Sequence, residues 1–187
     1  MSGSSAGYVP SEIFLTSGVG VHRERLSSFE EALRDARIAR FNLAGVSSIF
    51  PPDCELVEPE RGLERLQPGQ VVHSVMARAD TDETSRLISA SIGLAIPKDR
   101  DRFGYLSEHH GYGQTAHESG DYAEDLAASM LATVLGVHFD PEAAWDEQRE
   151  EWELSGKIYR TTNITEAVEG PAEDRWATVV AAAIFCA

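Results

Sequence analysis

The chain has 187 residues, of which 42% are hydrophobic and 25% are charged, so we expect one globular domain with a sizeable core. The formal net charge of −15 argues against binding to nucleic acid or to an anionic membrane surface, because both need a basic face. No run of about 18 apolar residues is present, which excludes a transmembrane helix.

Neither the N-terminus nor the cysteine content indicates secretion. The first seven residues are mostly Ser, Gly and Ala and lack the basic and apolar stretches of a signal peptide. We therefore expect a flexible tail over residues 1–10 and a single domain over residues 11–187. Cys54 and Cys186 are too few for a disulfide framework and lack zinc-site spacing, so each is interpreted as a small buried hydrophobic residue. The protein is predicted to be cytoplasmic.

Alternating apolar positions and turn residues predict about seven strands. They cover residues 12–18, 42–50, 71–79, 85–97, 104–110, 157–165 and 176–186. Residues 54–57 are predicted to form a further short extended piece. The first strand is expected to end in a tight turn at Gly18-Val19-Gly20. Residues 59–70 are expected to form a surface loop, because they contain two prolines and two glycines.

Two main helices are predicted between these strands. Ser28 and Glu31 have the spacing of a capping box, and the apolar residues that follow them have helical spacing. The second helix is expected over residues 119–137, whereas the acidic residues 141–153 fit either a helix or an exposed excursion. This order of elements indicates α+β packing, with helices outside the sheets.

The most informative segment is residues 42–52, Asn-Leu-Ala-Gly-Val-Ser-Ser-Ile-Phe-Pro-Pro. A strand is predicted to carry the serine pair Ser47-Ser48 close to its end, and the diproline stops sheet pairing because neither proline has an N–H. Asn42 lies six residues before Ser48, so we expect the two side chains to share one face of this strand. Taken alone, a serine pair at a strand end is an ordinary feature.

The whole segment resembles the self-cleavage site of the pyruvoyl-dependent arginine decarboxylases, whose signature is Asn-Leu, a short spacer, Val/Ile-Ser-Ser-Ile and an apolar residue before Pro-Pro. Residues 96–99 (Ile-Pro-Lys-Asp) followed by Glu108-x-x-Gly111 are similar to a second pattern of that family. The resemblance implies cleavage between Ser47 and Ser48. It implies that Ser48 becomes a covalent pyruvoyl group, which forms a Schiff base with L-arginine and releases agmatine and carbon dioxide for polyamine-related biosynthesis. Neither pyridoxal phosphate nor a metal ion is expected.

The same resemblance assigns roles to individual side chains. Glu108 matches the proton donor of the family, and Asn42 matches an asparagine in its active site. Glu30 stands where a family member has an aspartate that would hold the guanidinium group, with Glu31 as the alternative anchor. The substrate-binding positions implied in this way are Leu26, Glu30 and Ser47.

The resemblance also implies a fold and an assembly: a four-layer αββα sandwich of mostly antiparallel sheets with outer helices, assembled as a trimer. Three other functions stay open. The first alternative is an unprocessed paralogue with a structural or regulatory role, the second is a pyruvoyl decarboxylase of another amino acid, and the third is a metal hydrolase. The residues that suggest the hydrolase are His109, His110, His117 and Glu118. Adjacent histidines point to opposite faces of a strand and no H-E-x-x-H spacing is present, which disfavours the metal site.

Overall fold

The computed structural model describes residues 7–137, 155–172 and 174–186. Within these ranges the chain forms nine strands and three helices, and the predicted mixture of α and β structure is confirmed. The elements are β1 (Glu12–His22), α1 (Arg25–Asp35), β2 (Asn42–Gly45), β3 (Ile49–Phe50), β4 (Glu55–Leu56), α2 (Pro59–Glu64), β5 (Val71–Thr81), β6 (Leu87–Pro97), β7 (Gly104–Tyr112), α3 (Ala116–Val134), β8 (Ile158–Glu169) and β9 (Trp176–Cys186). The expectation for residues 141–153, and most of the predicted tail, lie outside the described residues.

The strands form two sheets that share one apolar core. A five-stranded sheet has the order β2-β5-β9-β1-β4, and a four-stranded sheet has the order β3-β7-β6-β8. Most pairs are antiparallel, with β1–β4 and β2–β5 parallel. Residues such as Ile92 and Leu94 of β6 and Val179 and Ala181 of β9 are fully buried in the same hydrophobic cluster. Both strands lie in the interior of their sheets, and this position explains their apolar sequences.

A helix packs against the other face of each sheet. Alternate residues of β9, Val180 and Ala182, turn away from the shared core and contact a second cluster that contains Ala32 of α1. On the four-stranded sheet, Ala127 and Leu131 of α3 pack against Ala95.

None of the helices in the described part of the chain is both long and apolar enough to span a membrane. The interpretation of the two cysteines as buried residues is confirmed.

The predicted turn at Gly18-Val19-Gly20 is wrong, because β1 continues through it to His22. The glycines serve close packing instead. A Cβ atom on Gly20 would lie 2.0 Å from the carbonyl oxygen of Ser28 in α1, and one on Gly18 would lie 2.3 Å from that of Ala32. Only glycine therefore allows α1 to approach β1 this closely.

The capping-box prediction at Ser28 is also wrong. Helix α1 begins at Arg25, and Ser28 lies inside it with its Oγ 2.8 Å from the Arg25 carbonyl oxygen. A capping box does occur, but at Thr115 and Glu118, where it starts α3 three residues before the predicted helix. The loop predicted over residues 59–70 contains the six-residue helix α2. Local sequence patterns alone did not distinguish these helix starts.

The single strand predicted over residues 42–50 is wrong in a way that matters for function. Its first part is β2, at the edge of the five-stranded sheet, and its last part is β3, at the edge of the four-stranded sheet. Leu43 packs beside α1, whereas Phe50 is 2% exposed in the core between the sheets. The chain changes sheets because these apolar side chains are buried in different clusters. The argument that Asn42 and Ser48 share a face of one strand therefore fails.

Candidate active site

Residues 46–48, which we call the crossing segment, connect the edges of the two sheets. The N–H of Val46 donates to the carbonyl oxygen of Ser74 in β5 at 3.1 Å. The N–H of Leu106 in β7 donates to the carbonyl oxygen of Ser48 at 2.9 Å. The Ser47–Ser48 peptide bond therefore lies where the chain leaves one sheet and joins the other, with Ser47 exposed and Ser48 partly buried.

The backbone around Ser48 forms a tight turn. The N–H of Ile49 donates to the carbonyl oxygen of Ser47 at 2.9 Å, which makes Ser48 the central residue of a three-residue turn. This donor polarises the carbonyl group beside the Ser48 hydroxyl and is positioned to stabilise negative charge on its oxygen. Sequence reasoning missed this group, since a backbone N–H leaves no signal in the residue type.

A carboxylate lies next to the Ser48 hydroxyl. Ser48 Oγ donates to Glu108 Oε1 at 3.3 Å, across 60 positions of sequence. Glu108 is an exposed residue of β7, opposite Ile92 of β6 in the sheet register. The structure thus brings together the two residues that were predicted to share a catalytic site. An ionised carboxylate there is an acceptor for the hydroxyl proton, and its protonated form is a donor.

Asn42 reaches the same site from the side of the five-stranded sheet. Its Nδ2 donates to the carbonyl oxygen of Gly69 at 2.7 Å, which fixes the side-chain amide. Asn42 and Glu108 both line a cleft of about 610 Å³, together with apolar side chains that include Phe29 and Met76. Asn42 and Glu108 therefore line one cleft from two different sheets, whereas the sequence pattern predicts that Asn42 reaches the site along a single strand.

Comparison with known proteins identifies the family. The sequence model of the pyruvoyl-dependent arginine decarboxylase (PvlArgDC) family matches residues 12–187. The chain belongs to that family. It is 56% identical over 178 residues to the probable pyruvoyl-dependent arginine decarboxylase of Chloroherpeton thalassium, covering 95% of this chain and 98% of the relative. It is 51% identical over 177 residues to the pyruvoyl-dependent arginine decarboxylase of Nitrosopumilus maritimus, covering 95% and 97%. The predicted family, and with it a pyruvoyl-dependent lyase, is confirmed.

A pyruvoyl-dependent decarboxylase implies a covalent pyruvoyl group, and the residues of the crossing segment fit one. Such a group needs a residue whose side chain is converted to a ketone next to a backbone carbonyl. Ser48 has a hydroxyl group, its neighbouring Ser47 carbonyl accepts a hydrogen bond from the N–H of Ile49, and Glu108 lies within hydrogen-bonding distance. Ser47, Ser48 and Glu108 line a further cleft of about 390 Å³, which has room for a small molecule beside the serine pair.

The predicted substrate anchors of this decarboxylase-family chain lie outside that cleft. Glu30 is 44% exposed on α1, where its Oε1 accepts from Arg34 Nε at 2.7 Å. Leu26, one turn earlier, is 77% exposed. The alternative anchor Glu31 accepts from the N–H of Val21 at 3.3 Å. The residues of α1 that line the cleft of about 610 Å³ are apolar, Phe29 and Leu33.

The three histidines that suggested a metal hydrolase have different environments and do not form a cluster in the described part of the chain. Within the described residues, no group of three or more His, Cys, Asp or Glu side chains is arranged to hold a metal ion. His109 Nε2 lies 2.8 Å from Gln114 Oε1, and the His110 ring contacts Tyr112 edge-on. His117 is on α3, with its side chain 87% exposed. Together with the family membership, this arrangement gives the alternative no support.

Proposed function

We propose that this chain cleaves itself between Ser47 and Ser48, carries a pyruvoyl group formed from Ser48, and converts L-arginine to agmatine and carbon dioxide. The observation that carries the proposal is the environment of Ser48. Its hydroxyl donates to Glu108, and its central position in the turn brings it next to a carbonyl that accepts from the N–H of Ile49. The names of the relatives, which are arginine decarboxylases, support the choice of substrate.

The residues of the turn are suited to each step of self-cleavage. The Ser48 oxygen attacks the Ser47 carbonyl carbon while Glu108 accepts the hydroxyl proton, and the N–H of Ile49 stabilises the oxyanion. The C–N bond then breaks, the amine gains a proton, and an ester remains. A base next removes the Cα proton of residue 48, a Cα=Cβ double bond forms, and the Ser47 carboxylate leaves. Water hydrolyses the imine form of the resulting dehydroalanine to a ketone and ammonia.

The same residues have roles in turnover. The pyruvoyl group supplies an electron sink for the loss of carbon dioxide from an amino acid. Glu108, in its protonated form, donates the proton that takes the place of the carbon dioxide. The fixed amide of Asn42 shapes the polar end of the cleft, and the apolar lining around Phe29 suits the methylene chain of arginine.

We include the assembly and the remaining substrate contacts in the proposal. The chain forms a four-layer αββα sandwich that assembles as a homotrimer in the cytoplasm. Ser47, Leu26 and Glu30 contact the substrate, with Glu30 binding the guanidinium group. Leu26 and Glu30 do not line the cleft of their own chain, so this role requires that α1 of one protomer lie against the cleft of another.

The test is the intact mass of purified protein under denaturing conditions, measured together with agmatine formation. We expect two fragments, split between Ser47 and Ser48, and a larger fragment that resists N-terminal sequencing because it begins with a ketone. Ser48→Ala should remain one inactive chain. Ser47→Ala is the matched control and should still split, because Ser47 contributes only its carbonyl group to cleavage. A cleaved and fully active Ser48→Ala protein contradicts the proposal.

A further inference from the structure

A second cleft, of about 500 Å³, borders the crossing segment. Apolar side chains form most of its lining, among them Val46, Ile49 and Phe185, and Ser47 is also exposed to it. Among the described residues that line it, two have titratable side chains, Tyr8 and His73. This cleft adjoins the one lined by Asn42 and Glu108, with which it shares Val46, and the self-cleavage chemistry described above assigns it no role.

His73 is held in a fixed orientation at this cleft. It lies on β5 in register with Ala44 of β2, three residues before Ser47. The hydroxyl group of Tyr8 and Nδ1 of His73 form a hydrogen bond, and the centroids of the two rings are 5.5 Å apart. In the described part of the chain no hydrogen bond engages Nε2 of His73. When the Tyr8 hydroxyl donates to Nδ1, the neutral ring carries its proton on Nε2, which is then available as a hydrogen-bond donor.

One step of self-cleavage creates a charge that this cleft would have to accommodate. When the Cβ–O bond of residue 48 breaks, the electron pair remains on the carboxylate of Ser47. The carboxylate forms beside apolar side chains such as Val46 and Phe185, and a hydrogen-bond donor or a cation near it stabilises it. Among the described residues that line the cleft, His73 is the only side chain that can become a cation.

We propose that His73 stabilises the Ser47 carboxylate as it leaves, and that Tyr8 is the positioning residue for the imidazole ring. The inference rests on the proposed cleavage between Ser47 and Ser48. The neutral ring donates a hydrogen bond from Nε2 to the carboxylate, and the imidazolium adds a positive charge. Tyr8 from the N-terminal segment contacts His73, and Ser47 of the crossing segment lines the same cleft. Glu108 contacts Ser48 from β7 and belongs to the other cleft.

The experiment follows freshly made protein through cleavage and measures the ester and the final fragments separately. Hydroxylamine splits the ester into a fragment that ends in a Ser47 hydroxamate and a fragment that begins with a serine amine, whereas the completed reaction leaves a ketone. The two are distinguished by mass. For His73→Ala we expect the ester to accumulate and the elimination rate to fall by about 10²-fold, the scale of a lost acid–base group.

Two further variants separate hydrogen bonding from packing. His73→Gln retains a neutral hydrogen-bond donor, so it should slow elimination less than His73→Ala does. Tyr8→Phe keeps the ring but loses the hydroxyl, and should slow elimination less than His73→Ala. His117→Gln, at an exposed position of α3, is the matched control and should behave as wild type.

The outcomes are distinguishable. Ester accumulation requires the folded turn, so a His73 variant that accumulates ester is folded and supports the inference. A His73→Ala protein that completes elimination at the wild-type rate overturns the inference while leaving self-cleavage in place. Equal slowing by His73→Ala and His73→Gln overturns the role of the hydrogen bond. A wild-type chain that never splits removes both this inference and the proposed function.

Discussion

Substituting Glu108 with glutamine tests the chemistry of the site without changing its shape. Glutamine has the same length, and its side-chain oxygen still accepts a hydrogen bond from Ser48 Oγ. That bond is 3.3 Å long in the native protein, beyond the usual range for O–H···O, so little geometry depends on the negative charge. The substitution removes one property, which is the ability of the side chain to accept or donate a proton.

The expected effect is large on turnover and smaller on self-cleavage. A positioned acid or base contributes about 10²- to 10⁴-fold to a rate, which corresponds to about 3–5 kcal/mol of transition-state stabilisation. Glu108→Gln should therefore lose this factor in agmatine formation. Cleavage should become slower but still reach completion, because the turn and the N–H of Ile49 are unchanged and water reaches the exposed edge of β7.

The assay measures both activities on the same preparation. Denaturing mass gives the fraction of cleaved chain at successive times, and chromatography gives agmatine per cleaved chain. Glu169→Gln, at the exposed end of β8 on the opposite edge of the same sheet, is the matched loss of charge and should have no effect. Fully cleaved Glu108→Gln protein with wild-type turnover refutes Glu108 as the proton donor. Glu108→Gln protein that never splits refutes the separation of the two roles.

Two further predictions concern stability. Gly20→Ala places a Cβ atom 2.0 Å from the Ser28 carbonyl oxygen, so α1 has to move, and we expect urea denaturation to report a loss of about 1–3 kcal/mol of unfolding free energy. Gly45→Ala, where nothing lies within 4 Å of the added atom, should be nearly neutral, and an equal loss there would contradict the packing argument. Burial raises the pKa of Cys54 to about 12 and that of Cys186 to about 11, above an ordinary value of 9.0. The neutral buried thiols therefore stabilise the folded state fully below about pH 9, and this stabilisation is lost as the pH rises toward 11–12. Urea unfolding midpoints should accordingly fall over that pH range. At pH 8, thiol reagents should modify only the unfolded protein. Rapid modification of the native protein would contradict the burial.

The residues of the site differ in how well the sequence revealed them. The serine pair with its diproline, and the downstream Glu108, were singled out because the patterns around them resemble those of the family. Asn42 was also singled out by that resemblance, but the geometric argument for it was wrong, since the strand that was to align it with Ser48 does not exist. The N–H of Ile49 and the imidazole of His73 were missed. One is backbone, and the other lies near the crossing segment only because β5 is beside β2.

The sequence by itself determined the family, the alternation of strands and helices, and the positions of the long central strands, whose apolar character follows from burial on both faces. Tertiary structure alone decided that residues 42–50 divide between two sheets, that Gly18 and Gly20 serve helix packing, and that Phe29 lines the cleft while Glu30 does not. The physical reason is that periodicity reports which residues are buried, but not which layer buries them. The turn at Ser48 exists because Leu43 and Phe50, only seven positions apart, pack into different hydrophobic clusters.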